Sequence, residues 1–112
     1  MTGSKVYLQP RDYVFNTIHD VKEMQKGKGT FADVVNGKIN FIVRLYYAIW
    51  EYQFTVTDIG KNRCRVEIGV GGDVRNKEDK ILREFSLLES MLLTNSNIEL
   101  IKEQSESGGN AG

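Results

Sequence analysis

Apolar and polar residues alternate through residues 50–71 in two separate runs. The even-numbered residues are apolar over 50–57 and again over 63–70, and nearly all of the odd-numbered residues between them are polar or charged. A period of two is expected of a β-strand that has one buried and one solvent-facing side. Residues 58–62 contain the Gly and Asn that a reversing loop favours, because both tolerate positive φ. The pattern predicts a β-hairpin whose apolar face has to be covered by another element.

A second hairpin is predicted immediately before the first. Residues 30–35 favour a strand, and Asn36-Gly37 after them is a strong signal for a tight turn. In the strand that follows, the apolar residues occupy odd positions over 39–45, whereas from residue 50 onward they occupy even positions. An unbroken strand would turn one of these two sets to water, so we expect a tight reversal near residues 46–48. The runs together predict a meander of about four antiparallel strands.

Two amphipathic helices are predicted, one on each side of the meander. Over residues 11–25 the apolar residues recur every three or four positions, and Gly27 is expected to end this helix as its C′ residue. A longer helix is predicted to begin after Asn76, its N-cap, and to end at residues 94–97. Its broad apolar face carries Ile81, Leu82, Phe85, Leu87, Leu88, Met91 and Leu92. This helix is the candidate for the element that covers the hairpin.

These elements predict a single α+β domain over residues 1–102. The fold is an antiparallel sheet of four or five strands, arranged as a meander, with a long C-terminal helix across it and a shorter helix near the N-terminus. Residues 5–9 supply the fifth strand, with Val6 and Leu8 on one side. Residues 103–112 are polar and rich in Gly and Ser, so we expect them to form a disordered tail.

The order of elements from Lys5 to Leu93 resembles that of a reduced helix-grip domain, the architecture of the START and polyketide-cyclase-like superfamily. The resemblance is one of pattern: a strand, a helix, about four strands and a long helix. It implies that the C-terminal helix lies across a curved antiparallel sheet. It also implies that a hydrophobic small molecule or lipid is held between sheet and helix, although some members act as partner-binding modules. A fold alone does not decide between these functions.

Composition and charge narrow the function classes. The chain has fifteen acidic and fifteen basic residues, and this balance argues against a nucleic-acid-binding protein, which needs a basic excess. No apolar run approaches the roughly 20 residues of a membrane span, and residues 1–10 contain no secretory signal pattern. We therefore expect a cytoplasmic protein. Cys64 is the single cysteine, and its place in the alternating pattern predicts a buried apolar side chain rather than a reactive thiol.

Few residues indicate catalysis or metal binding. His19 is the only histidine, and one histidine with one cysteine falls short of the three or four ligands of a zinc site. No sequence pattern places a nucleophile near His19. Residues 69–72 are rich in Gly and precede a helix, but the G-K-[ST] triplet of a phosphate-binding loop does not follow. We predict no catalytic residue, no metal and no cofactor.

Two functions of different classes remain. In the first, a cavity between the C-terminal helix and the sheet holds a small apolar ligand or lipid. Its predicted lining is Trp50, Tyr52, Phe54, Val66, Ile68, Phe85 and Leu88. In the second, the core is solid and the domain works as a homodimer or binds a protein partner through the outer sheet face or an edge strand. The first function predicts vacant volume beneath the helix, and the second predicts an exposed apolar patch elsewhere.

Replacing Phe85 with alanine distinguishes a packed core from a cavity at this position. In a closed core the substitution is expected to lower the free energy of unfolding by roughly 3–5 kcal/mol, the usual cost of removing a buried aromatic ring. Equilibrium urea denaturation measures this loss. A loss well below that range would mean that Phe85 borders empty or ligand-filled space.

Overall fold

The chain forms a five-stranded antiparallel sheet with a short N-terminal helix and a long C-terminal helix, which confirms the predicted α+β fold class. The computed structural model describes residues 1–111, with their side chains described as far as Ser96. The elements in chain order are β1 (Thr2–Tyr7), α1 (Arg11–Met24), β2 (Lys28–Asp33), β3 (Lys38–Leu45), β4 (Ala48–Gly60), β5 (Arg63–Gly71) and α2 (Lys77–Ala111).

The strands lie in the order β1-β5-β4-β3-β2, and every neighbouring pair is antiparallel. Strands β2 to β5 form the predicted meander, and β1 pairs with the edge of β5 that β4 does not occupy. In the central hairpin Phe54 pairs with Ile68 and Val56 with Val66, so the apolar residues of both strands share one face. The long alternating runs therefore occupy the middle of the sheet, where both of their edges are paired.

The predicted reversal between β3 and β4 is confirmed. Leu45 pairs with Ala48, so Tyr46 and Tyr47 alone form the turn between the two strands. A two-residue turn shifts the alternation by one position, which explains why the buried residues are odd-numbered before it and even-numbered after it. Tyr46 adopts a φ of 55°, which is unusual for a residue other than glycine, and both tyrosines are exposed.

Both helices lie over the inner face of the sheet. α1 contacts β4 and β5, α2 contacts β5 and β1, and the two helices contact each other. The apolar face of the β4–β5 hairpin is therefore covered by two helices rather than by α2 alone. The core consists of Val14, Phe15, Ile18, Val21, Ile39, Phe41, Val43, Trp50, Tyr52, Phe54, Val56, Cys64, Val66, Ile68, Val70, Ile81, Phe85, Leu88 and Leu92.

Several local predictions were wrong at the edges of the sheet. β1 lies at Thr2–Tyr7 rather than at residues 5–9, and Val6 and Leu8 are exposed. Gly27 does not adopt a positive φ, since Lys26 takes the left-handed conformation with a φ of 56°. Gly27 is needed for close packing instead, because a Cβ atom there would lie 2.6 Å from Cδ2 of Phe41.

The C-terminal helix does not end at residues 94–97, which corrects the prediction. The side chains of Thr94 and Asn95 form hydrogen bonds that are compatible with a continuous helix. The hydroxyl of Thr94 donates to the carbonyl of Ser90 at 2.9 Å, and the amide of Asn95 lies 3.4 Å from the hydroxyl of Thr17 on α1. α2 continues to Ala111. The side chains of the predicted tail, residues 103–112, lie outside the described residues, and the tail stays a prediction.

Gly37 is the glycine on which the β2–β3 hairpin depends most. It has a φ of 66°, and an added Cβ would collide with the backbone oxygen of Val56, whose N–H donates to the Gly37 carbonyl at 2.7 Å. Gly37→Ala is therefore expected to lower the free energy of unfolding by about 1–3 kcal/mol, measured by urea denaturation.

Gly29→Ala is the matched control on the neighbouring strand. Gly29 has no positive φ, and an added Cβ would meet only the end of the Lys22 side chain at 3.5 Å. We expect the control to stay close to the wild-type stability. Equal losses in the two variants would contradict this account of Gly37.

Candidate functional site

The seven predicted ligand contacts are all buried in one cluster, but they do not share one environment. Phe54, Val66, Ile68 and Leu88 are completely buried, and Phe85 is nearly so. Phe85 lies beneath the ammonium group of Lys5, which is 5.1 Å from the ring centroid. Because Phe85 is enclosed in this way, we expect Phe85→Ala to lower the free energy of unfolding by the roughly 3–5 kcal/mol of a closed core. The role of these five residues as ligand contacts stays a prediction.

The other two predicted contacts, Trp50 and Tyr52, border a groove of about 260 Å³ at one end of the molecule. The groove lies between the end of α1, the first turns of α2 and the β3–β4 hairpin. It is lined by Met24, Gln25, Val43, Arg44, Leu45, Trp50, Tyr52, Lys80, Arg83 and Leu87. This volume is just below the usual range for small-molecule sites, roughly 300–1,000 Å³.

Local sequence explains how three separate elements meet at this groove. The two-residue turn at Tyr46-Tyr47 folds β4 back so that Trp50 pairs with Val43. On α2, residues 80, 83 and 87 follow each other at spacings of three and four, which places them along one side of the helix. α1 ends at Met24, and the side chain of Gln25, the next residue, lines the groove on the side of α1.

Trp50 forms one wall of the groove and is held by Lys80. The Lys80 ammonium group lies 4.7 Å from the centroid of the indole ring, a cation–π contact, and donates to the carbonyl of Arg75 at 3.0 Å. Trp50 is only 7% exposed, and its indole N–H has no hydrogen-bond partner among the described residues. A buried donor without a partner costs about 1–3 kcal/mol. A polar group near it is the Tyr52 hydroxyl, whose pKa the Trp50 side chain lowers.

Glu84 is a fully buried carboxyl behind the groove. Its Oε1 accepts a hydrogen bond of 2.6 Å from Nε2 of Gln25, whereas its Oε2 has no partner in hydrogen-bonding geometry among the described residues. Burial raises the pKa of Glu84 from 4.5 to about 7, and Gln25, the Arg83 charge and the Tyr52 hydroxyl oppose this rise only in part. Glu84 is therefore largely protonated below neutral pH.

The hydroxyl of Tyr52 completes a group that we call the polar cluster: Gln25, Trp50, Tyr52 and Glu84. Burial, and then the nearby charge of Glu84, raises the pKa of Tyr52 to about 12. Three members of the cluster line the groove, and the fourth lies behind it. Near neutral pH the cluster thus offers an indole N–H, a phenol and a partly protonated carboxyl as hydrogen-bonding groups.

The sequence analysis missed Glu84, although the sequence contained a signal for it. Glu84 follows Ile81 by three positions and precedes Leu88 by four, so it falls on the apolar stripe of α2. A charged residue at a core position of a helix indicates a buried polar group that needs a partner. That partner, Gln25, could not be found from the sequence, because 59 residues separate the two.

The groove is basic. Arg44, Lys80 and Arg83 are among its lining residues, and no aspartate or glutamate up to Ser96, where the described side chains end, is. The ion pairs of the described residues, Lys5–Glu89 and Lys22–Glu23, involve none of the three basic residues. Their charges are therefore not neutralised by a direct ion pair in the described part of the chain.

Other residues considered in the sequence have structural roles. Cys64 is fully buried, as predicted, and burial raises the pKa of its thiol. His19 packs edge-on against Phe15, with 5.2 Å between the ring centroids.

In the part of the chain that the structure describes, three or more His, Cys, Asp or Glu side chains nowhere converge as metal ligands. Among the same residues, no helix combines the length and apolar character needed to cross a membrane.

Comparison with known proteins finds similarity in structure but none in sequence. No protein-family model matches the chain, and no curated protein matches it in sequence. Among solved structures, the chain is similar to the di-domain ARO/CYC protein StfQ from the steffimycin biosynthetic pathway, with 10% sequence identity and a TM-score of 0.43. The match covers 82% of this chain and 43% of that one, so this chain spans less than half of its length. The similarity is weak, and the helix-grip relationship stays a resemblance.

The raised pKa of Glu84 makes stability depend on pH. Its folded-state pKa lies above its ordinary value, so the folded protein binds the proton more tightly than the unfolded chain does. The resulting stabilisation is complete below about pH 4.5 and is lost as the pH rises through about 7. At about 1.4 kcal/mol per pKa unit, the loss amounts to about 3 kcal/mol. Urea denaturation between pH 5 and pH 8 measures it.

Glu84→Gln keeps a hydrogen-bonding side chain but cannot ionise. We expect its stability to vary little over this pH range and to exceed that of the wild type at pH 8. Glu78→Gln, at an exposed position in the first turn of α2, is the control. Its free energy of unfolding should vary with pH as that of the wild type does. If the free energy of unfolding of the Glu84 variant varied with pH as in the wild type, a group other than Glu84 would be responsible for the pH dependence.

Proposed function

We propose that the protein binds a small apolar ligand or lipid in the groove beside the first turns of α2. The observation that carries this proposal is the pairing of an apolar wall with buried hydrogen-bonding groups in one concave site. Small-molecule sites commonly combine such a wall with a few convergent polar groups. The site lies at one end of the helix–sheet interface. Trp50 and Tyr52 of the predicted lining border it, and the other five predicted residues lie in the adjacent core.

The two sides of the groove suit different parts of a ligand. Val43 and Trp50 from the sheet and Leu87 from α2 supply apolar surface for a hydrocarbon chain or a ring. Gln25 and Tyr52 offer polar atoms at the same site. The volume of about 260 Å³ limits the occupant to a small molecule or to one end of a longer one.

Binding fits the polar cluster better than catalysis does. Near neutral pH its hydrogen-bond donors include the Tyr52 phenol and the partly protonated Glu84 carboxyl, but none of its four residues is an activated nucleophile. Buried donors of this kind orient a ligand through hydrogen bonds.

A second candidate function is association with another protein molecule, for which the β3–β4 hairpin gives the supporting observation. Tyr46 and Tyr47 are 88% and 104% exposed, and Leu45 and Ile49 beside them are about half exposed. Exposed tyrosines are enriched at protein interfaces. Native mass spectrometry separates the two functions, because a bound small molecule adds its own mass whereas self-association gives a multiple of the chain mass.

N-phenyl-1-naphthylamine, a neutral apolar dye whose fluorescence rises in apolar surroundings, tests the proposed site. We expect saturable binding at one site per chain. Leu87→Phe fills the groove with a larger side chain and is expected to weaken dye binding roughly tenfold, the loss that corresponds to about 1.4 kcal/mol.

Leu82→Phe is the matched control on the same helix. Leu82 is about half exposed and does not line the groove, so this variant should bind the dye as the wild type does. Non-saturable binding, or an equal effect of the two substitutions, would contradict the proposed site.

A further inference from the structure

The basic side chains of the groove suggest what kind of ligand it takes. Three basic residues line it, and none of the acidic residues whose side chains the structure describes does. The chain as a whole is neutral, so this local excess is not a consequence of overall composition. Positive charge within a concave site raises the local concentration of anions.

Two of these cations lie near the N-terminus of a helix, where a positive charge is unfavourable. Lys80 and Arg83 lie in the first two turns of α2, close to the positive end of the helix dipole. The dipole disfavours cations at this end and attracts anions. Glu78 and Asp79 in the same first turn offset part of this positive potential, but neither of them lines the groove.

A second, independent observation comes from Trp50. Its indole is more than nine-tenths buried, lines the groove, and has an N–H without a partner among the described residues. An indole N–H can only donate, so it requires an acceptor. An anionic oxygen is a stronger acceptor than a neutral one, and it would also interact favourably with the three cations that line the groove.

From these observations we propose that the ligand is an amphipathic carboxylate, bound with its anionic group toward Arg44, Lys80 and Arg83 and its apolar part against Trp50 and Leu87. The inference rests on the proposed function, since it assigns a ligand class to the same groove. Lys80 has a positioning role as well as a charge, because its contact with the indole and its hydrogen bond to Arg75 hold it at the mouth.

Octanoate and octan-1-ol are a suitable pair of probes, since they share a chain length and differ in the anionic group. Trp50 is the only tryptophan of the chain, so its fluorescence reports binding directly. The titrations are made at pH 6, where the Glu84 carboxyl is mostly protonated. We expect octanoate to bind at least roughly tenfold more tightly than octan-1-ol, which corresponds to one charge-assisted hydrogen bond.

Arg83→Gln removes one cation of the groove, and Lys77→Gln removes a cation from the same helix that does not line it. We expect the first variant to lose most of the preference for octanoate over octan-1-ol. The second variant should behave as the wild type does. Equal losses of octanoate binding in both variants would overturn the proposal, because they would indicate a general effect of net charge.

The two probes also separate failure of this inference from failure of the proposed function. If octanoate and octan-1-ol bind equally well, the groove is a ligand site without preference for an anion, and only the carboxylate inference is wrong. If neither probe changes the Trp50 fluorescence or binds in calorimetry, both the carboxylate and the proposed function are wrong. Binding of octanoate alone would support both.

Discussion

The apolar face of the β4–β5 hairpin is the constraint on which the rest of the structure depends. A two-stranded hairpin with one apolar face is not stable in water, so its inner residues have to be covered. Both helices pack on this face and on each other, and the remaining strands extend the sheet on either side. The chain thereby buries one continuous core.

The groove arises where this cover is incomplete. α1 ends at Met24 while the β3–β4 hairpin continues beyond it, and α2 begins at the same end of the sheet. Trp50 and Val43 lie at this boundary, with one side against the core and the other against the groove. The long side chain of Lys80 covers the indole in place of an apolar residue, which keeps the ring out of water while leaving charge at the surface.

Glu84 shows that the core is not built for stability alone. A carboxyl on the buried stripe of α2 receives one hydrogen bond from Gln25, and its other oxygen has no partner among the described residues. An apolar residue of similar size at this position would avoid that desolvation cost. Buried polar groups that lower stability are more often found at functional sites, so the position of Glu84 beside the groove agrees with a role in binding.

Much of the fold could be predicted because it depends on local periodicity. The alternation in β4 and β5, the shift of phase at Tyr46-Tyr47 and the three-to-four spacing in both helices are properties of neighbouring residues. The errors occurred where a distant residue decides the outcome. Gly27 is required by the ring of Phe41, and the polar residues 94–97 continue a helix partly because Asn95 meets Thr17 on α1.

The sequence by itself determined the fold class, the order of the elements and the identity of most core residues, because hydrophobic burial acts through patterns a few residues long. The position of the candidate site, in contrast, follows from how the helices pack on the sheet. Trp50 and Tyr52 were predicted as contacts, but Gln25, Lys80 and Arg83 join them through the packing of α1 and α2 at one end of the sheet. Such a site depends on distances between residues far apart in the chain, and a linear pattern of hydrophobicity does not encode those distances.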